Sequence, residues 1–423
     1  MDTIFAQATA PGKSGVAVIR ISGPKAFHGC REIAGRLPEP GRSGLRVLRS
    51  NDGQALDTAL VLSFAFAASF TGEETVEFQT HGSIAVVRVV LETLGKIDGF
   101  RPADAGEFTR RALSNDRMDL TEVEGLADLI DSETEFQRQQ ALAVSTGELS
   151  RQVQSWRERL VEAASLIEAT IDFADEEVPV DVRPDVAEIL GLVLADIRSE
   201  IHGARTAERV RDGFEVAILG APNAGKSTLL NAIARRQVAL TSEIAGTTRD
   251  VIELRVDLNG LPVTFLDTAG LRDSSDTLEI AGIELARERA IAADLRIYLR
   301  SGDITPSDLN CDVIVDGKSD ITGNPGVSGL SGKGVDELLD RISYLLTDRI
   351  PSLRLAIRER HRVVLESAAE HLANALGGTK CGDHEDIIAE DIRISVHVLG
   401  EMIGKIDVES LLDQIFTRFC IGK

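Results

Sequence analysis

The sequence predicts a multidomain α/β protein. An N-terminal α+β domain precedes an all-α helical domain, which is interrupted by an inserted α/β domain with a phosphate-binding loop. Three observations carry this reading. A glycine loop stands between an apolar run and a helical run within 214–233. The segments on either side of that inserted domain repeat their apolar residues with helical period. Residues 1–115 instead mix short β-like runs with glycine turns.

Taken in order, Val16–Ile21, Ala59–Phe64 and Glu74–Phe78 read as strands and Ile84–Leu94 as a helix, which assigns 1–115 to the α+β domain. From 116 to 212 the pattern turns helical. Leu160, Ala164, Ile167 and Ile171 share one face, and so do Val186, Ile189, Leu190, Val193, Leu194, Ile197 and Ile201. Strand–helix alternation occupies 213–350. Helical periods return over 351–423, where Leu365, Ala369, Leu372 and Leu376 form a stripe. These stripes are core packing and carry no chemistry of their own.

Composition narrows the class. A chain of 423 residues suffices for about two to four domains. A net charge of −22 argues against a surface built to coat nucleic acid, although a local basic patch or a basic partner can still serve RNA. Cys30, Cys311, Cys381 and Cys420 contain no Cys-x-x-Cys pair, so neither a disulfide framework nor a zinc site is implied. No apolar stretch approaches a membrane span and Met1-Asp2-Thr3-Ile4 lacks a signal-peptide pattern. The expected location is cytoplasmic, with no membrane association.

The inserted domain is the informative one. Gly220-Ala221-Pro222-Asn223-Ala224-Gly225-Lys226-Ser227 fits G-x-x-x-x-G-K-[ST], follows the apolar run Phe214–Leu219 and precedes the helical run Thr228–Ile233. A chance glycine turn would lack that context. The glycines let the backbone wrap so that N–H groups face phosphate oxygens. Lys226 then reaches the β- and γ-phosphates, and the Ser227 hydroxyl holds Mg2+. Ser242-Glu243-Ile244-Ala245-Gly246-Thr247-Thr248 is loop-like and supplies hydroxyls suited to a switch. Asp267-Thr268-Ala269-Gly270 ends an apolar strand in D-x-x-G, whose carboxylate supports the Mg2+ shell and whose glycine N–H suits a γ-phosphate.

Base selection normally rests on N-K-x-D. Here Lys318 and Asp320 are in place after Val313-Ile314-Val315, but Gly317 occupies the Asn slot. Asp320 still selects guanine, and loss of the amide contact is expected to cost about 1 kcal/mol. Ser331-Gly332-Lys333 is expected to back the base. The ligand is therefore GTP, bound more weakly than usual. Leu295–Leu299 and Val313–Val315 are expected as parallel neighbours. With only 300–312 between them and Pro306 inside, the crossover helix is expected to be short or missing.

With these motifs in place, the chain resembles the bacterial MnmE (TrmE) family of tRNA-modification GTPases from end to end. The likeness runs through Thr3–Thr9, Gly15–Pro24, Ala105–Ala112 and Ile171-Asp172-Phe173 to Phe419-Cys420-Ile421-Gly422-Lys423. The family implies a dimerising N-terminal domain that binds tetrahydrofolate, a helical domain built from both blocks, and a Ras-like G domain. It also implies K+ where other GTPases use an arginine finger. Asn223, Ser242, Ile244 and Thr247 match the K+ ligands, and Ser227 and Thr248 match the Mg2+ ligands. Glu279 matches the water-orienting glutamate; from the residues alone it reads rather as a solvated charge at a helix start, and the resemblance reverses that preference.

The resemblance places a tetrahydrofolate derivative (5-formyl or 5,10-methylene) at Arg20, Glu77 and Arg117, with Lys423 approaching. Arg20 could otherwise be a surface ion-pair residue. Arg117 stands where the family has Lys, and Asp116 where it has Gly. Cys420 is either a one-carbon contact or a buried structural thiol.

The implied activity is GTP hydrolysis by a homodimer. Joined with the FAD protein MnmG in a heterotetramer, it would add a carboxymethylaminomethyl or aminomethyl group to C5 of the wobble uridine (position 34) of certain tRNAs. Two rivals stay open: an Era-like regulatory GTPase, disfavoured by the acidic helical C-terminal block, and a degenerate relative with weak hydrolysis.

Overall fold

The computed structural model of the chain describes residues 2–172, 181–221, 223–237, 253–267, 288–289, 291–301, 311–323, 325–350, 355–382, 384–404 and 422. The chain divides into two compact units, one comprising 1–127 with 400–423, the other 128–399. No helix among the described residues is long and apolar enough to cross a membrane.

The first unit is built on a six-stranded sheet of order β3-β4-β5-β2-β1-β6, from β1 (Thr3–Gln7), β2 (Ser14–Ser22), β3 (Ser43–Arg49), β4 (Ala55–Phe64), β5 (Thr75–Gly82) and β6 (Phe100–Pro102). All pairs are antiparallel except β1 with β6. Alternate residues of β2, Ala17, Ile19 and Ile21, are fully buried together with Val76 and Phe78 of β5. This is the period-two pattern of a sheet with one covered face. Helices α1 (Ala26–Ala34) and α2 (Ile84–Leu94) supply the cover, through Ile33 and Cys30 and through Val90 and Leu94. Two further helices, α3 (Glu107–Ser114) and α4 (Leu120–Asp131), follow.

The second unit holds a five-stranded sheet of order β11-β10-β7-β9-β8, formed by β7 (Phe214–Leu219), β8 (Glu253–Leu258), β9 (Leu261–Asp267), β10 (Leu295–Arg300) and β11 (Val313–Asp316). Only the β8–β9 hairpin is antiparallel. Its turn is Asn259-Gly260, at φ 52° and 89°, the positive values that a tight hairpin requires. Val216, Ile218, Val263, Phe265, Leu295 and Ile297 are fully buried, as expected of strands covered on both faces. The expected β10–β11 pairing is observed, Ile297 lying opposite Val313. The expected short crossover falls at 302–310, outside the described residues.

Helices α5 (Glu135–Ser145), α6 (Glu148–Asp172), α7 (Arg183–Asp212), α8 (Lys226–Arg236), α9 (Ser319–Thr322), α10 (Val335–Thr347), α11 (Glu359–Cys381) and α12 (Glu385–Met402) complete the fold. The anticipated stripes are buried at their centres, while Ala164, Ile171, Ile189, Ile201 and Leu376 are half-buried. Leu160 and Ile167 of α6, Val186, Leu190, Val193 and Ile197 of α7, and Leu365 and Leu372 of α11 are all inaccessible. The β8–β9 hairpin is seated on α5: the Phe136 N–H donates to Gly260 O at 3.2 Å, and Arg255 pairs with Glu133 at 3.3 Å.

Candidate functional site

The phosphate loop connects β7 to α8. Gly220 and Gly225 have φ of 151° and 104°, which an L side chain rarely adopts, and Asn223 stands at 62°. A Cβ on Gly220 would lie 2.6 Å from the Leu299 carbonyl oxygen, so glycine is also required for close approach to β10. Gly225 caps α8 in the left-handed region, turning the first free N–H groups of the helix toward the loop.

Lys226, the first residue of α8, is buried and donates its ammonium to Gly220 O (2.8 Å) and Ala221 O (3.2 Å). Burial lowers its pKa, and the charge of Asp267 opposes that shift. A phosphate would offer this ammonium stronger, charged acceptors than the loop carbonyls it now holds. The adjacent Ser227 hydroxyl donates to Asp267 Oδ2 at 2.7 Å, joining the phosphate loop to the end of β9. A hydroxyl paired with a buried carboxylate is an oxygen donor set of the kind Mg2+ takes. The residues present therefore fit that ion.

Beside the loop lies a cavity of about 210 Å3 whose wall includes Ala224, Thr228, Leu299, Gly317, Lys318 and Asp320. Its volume is below the roughly 300–1,000 Å3 of a complete small-molecule site, which suits one ring system of a ligand whose phosphates extend along the loop. Lys318 has φ 55° and caps the single turn of α9, whose second residue is Asp320. Arg300 braces the strand end below with an ion pair to Asp316, Nη2 to Oδ2 at 2.8 Å.

The triplet expected to back the base is placed just beyond the cavity wall. Ser328, Gly329 and Leu330 line the cavity, whereas Ser331, Gly332 and Lys333 do not. The later triplet closes the turn that holds the earlier one. The Ser328 N–H donates to Lys333 O (2.9 Å), the Gly332 N–H to Ser328 O (2.8 Å) and the Ser331 N–H to Ser328 Oγ (3.1 Å). Ser328-Gly329 is a small-residue pair immediately after the buried Val327. Of the other expected nucleotide contacts, Ser242, Glu243, Ile244, Ala245, Gly246, Thr247, Thr248, Thr268, Ala269, Gly270 and Glu279 lie outside the described residues. Asn223 is exposed at the loop tip.

In the first unit, Arg20 and Glu77 are cross-strand partners on β2 and β5 and form an ion pair, Nε to Oε1 at 2.8 Å. The Arg20 guanidinium lies 5.5 Å from the Phe70 ring centre and 5.7 Å from that of Phe108. A half-buried carboxylate held by an arginine that itself lies over aromatic rings suits a flat heterocycle with an amide-like face, so these residues fit a pterin. Arg117 is exposed, its aliphatic stem close to Gly72. Asp116 before it has φ 53°, in the left-handed region that favours glycine. Gly422 is buried against the end of β1, where an added Cβ would lie 2.0 Å from Gln7 O. Cys420 and Lys423 lie outside the described residues.

Residues 3–117 match a family model described as the GTP-binding protein TrmE N-terminus, and residues 120–420 one described as the MnmE helical domain. Whole-chain relatives carry the name tRNA modification GTPase MnmE. That of Ruegeria pomeroyi is 54% identical, that of Roseobacter denitrificans 53% and that of Paracoccus denitrificans 47%, each over 100% of both chains.

Proposed function

Because the chain belongs to the MnmE family of tRNA modification GTPases, we propose that it couples GTP hydrolysis to a folate-dependent carbon transfer onto tRNA. The product is a carboxymethylaminomethyl or aminomethyl group on C5 of the wobble uridine, position 34, made with the FAD protein MnmG as partner and in the cytoplasm. The observation that carries the reading is the phosphate loop itself, with Lys226 buried in it and Ser227 bonded to Asp267. Full-length likeness to proteins of that name favours this over an Era-type assembly factor.

Each residue has a definite task in this reading. The Gly225 turn and Lys226 bind the phosphates. The Asp320 carboxylate accepts the guanine N1 and N2 protons, while Lys318, Leu330 and Ile321 flank the ring. Ser227 and Asp267, with Thr248, hold Mg2+; Asn223, Ser242, Ile244 and Thr247 hold K+. When bound, these cations supply the positive charge that a phosphoryl group needs as it transfers. Glu279 orients the attacking water. Glu77 and Arg20 hold the pterin, Arg117 and Lys423 attract the anionic end of the folate, and Cys420 faces the one-carbon unit. The N-terminal domain dimerises, and G domains of the two protomers meet face to face to complete the cation sites.

The test is nucleoside analysis of tRNA from cells lacking the gene. Loss of the C5 modification at position 34 is expected, and tRNA that keeps every such modification would refute the role.

A further inference from the structure

The glycine in the base-reading motif sits in a very tight place. The Gly317 N–H donates to the Arg300 carbonyl at 2.9 Å, which fixes the loop to the end of β10. A Cβ built on Gly317 would lie 2.8 Å from the Ala224 carbonyl oxygen of the phosphate loop, 3.0 Å from Leu299 Cγ and 3.2 Å from Leu299 Cδ1. The first neighbour is backbone, and both Ala224 and Leu299 are almost wholly buried, so neither can swing aside cheaply. The φ of Gly317 is not in the positive region, so the restriction is one of space and not of dihedral preference. Leu299 is hemmed in from the other side too, because Gly220 approaches its carbonyl oxygen closely.

We infer that Gly317 sets nucleotide affinity in this chain by letting the base-reading loop rest directly, backbone on backbone, against the phosphate loop. The usual asparagine would reach across this gap with its side chain; here the gap is closed. Gly317 is therefore a built feature and not a lost contact, and restoring the N-K-x-D motif weakens the site. Any side chain at 317 must push Ala224 outward, and with it the turn that places Gly225 and Lys226. This rests on the reading of the cavity as a guanine-nucleotide site.

The experiment is titration of the full-length protein and of its Gly317→Asn and Gly317→Ala variants with a fluorescent GDP, following thermal unfolding of each. Both variants are expected to bind about tenfold more weakly than the unaltered protein, the cost of a modest overpacking. Gly317→Ala isolates the Cβ from the chemistry of the amide. Failure of both variants to fold would express the same clash as lost stability. Binding by Gly317→Asn as tight as, or tighter than, that of the unaltered protein would overturn the inference and leave the nucleotide site standing. Absence of binding by the unaltered protein would overturn the reading of the site and the inference with it.

Discussion

Lys226 and Glu107 ionise in opposite surroundings. Burial pushes the Lys226 pKa down while the charge of Asp267 opposes the shift, and its present acceptors are the Gly220 and Ala221 carbonyls. Replacing Lys226 with Ala is expected to lower GTP turnover by about a hundredfold or more, measured as phosphate release; a loss of only a few-fold would deny it the phosphate. Glu107 is subject to burial that would raise its pKa. Hydrogen bonds from Arg101, the Asp104 N–H and Arg111 outweigh this and hold it at about 2, below its ordinary 4.5. A depressed carboxyl contributes stability above its unfolded pKa and loses it as pH falls through the folded one. The first unit should therefore weaken between about pH 4.5 and pH 2, and Glu107→Gln should flatten that part of an acid-unfolding profile. The phosphate-loop residues were legible because eight contiguous residues carry their chemistry. The network linking Glu107, Arg111, Glu73 and Ser22 was not, since its members come from separate elements and meet only when α3 packs near β2.

Helix α6 shows what periodicity can and cannot tell. Leu160 and Ile167 of its anticipated stripe are inaccessible and Ala164 and Ile171 half-buried, with Trp156 among the largest fully buried side chains. Trp156→Ala is expected to cost about 3–5 kcal/mol in denaturant unfolding, because neighbouring helices cannot collapse into so large a void. A cost below about 1 kcal/mol would mean the helix is packed more loosely than its burial implies. The limits of α2, Ile84–Leu94, were readable from its apolar run. Strand β3 was not, because as an edge strand it leaves Leu45 and Val47 exposed, so its apolar residues do not follow its alternating burial. The β8–β9 hairpin and its seat on Phe136 of α5 emerge only in the fold, since Phe136 and Gly260 are far apart in sequence.

At the scale of the whole chain, Gly422 lies against Gln7 at the end of β1, although more than 400 residues separate the two in sequence. If the folate site forms there, Gly422→Ala should displace the tail and weaken binding of 5-formyltetrahydrofolate in a calorimetric titration. GTP turnover should be little changed. Equal folate affinity in the variant would detach the tail from that site. GTP turnover should also be faster in K+ than in Na+ at equal ionic strength, and equal slow rates would favour a degenerate hydrolase.

Local sequence was enough for the strand, glycine turn and helix of the phosphate loop and for the helical blocks flanking the inserted domain, because each depends on residues close along the chain. Packing between distant segments settled the rest. Ser328 and not Ser331 reaches the cavity because three hydrogen bonds within the turn bend it that way. Gly317 has no room for a side chain because Ala224 and Leu299, far from it in sequence, occupy that space once the loops fold together.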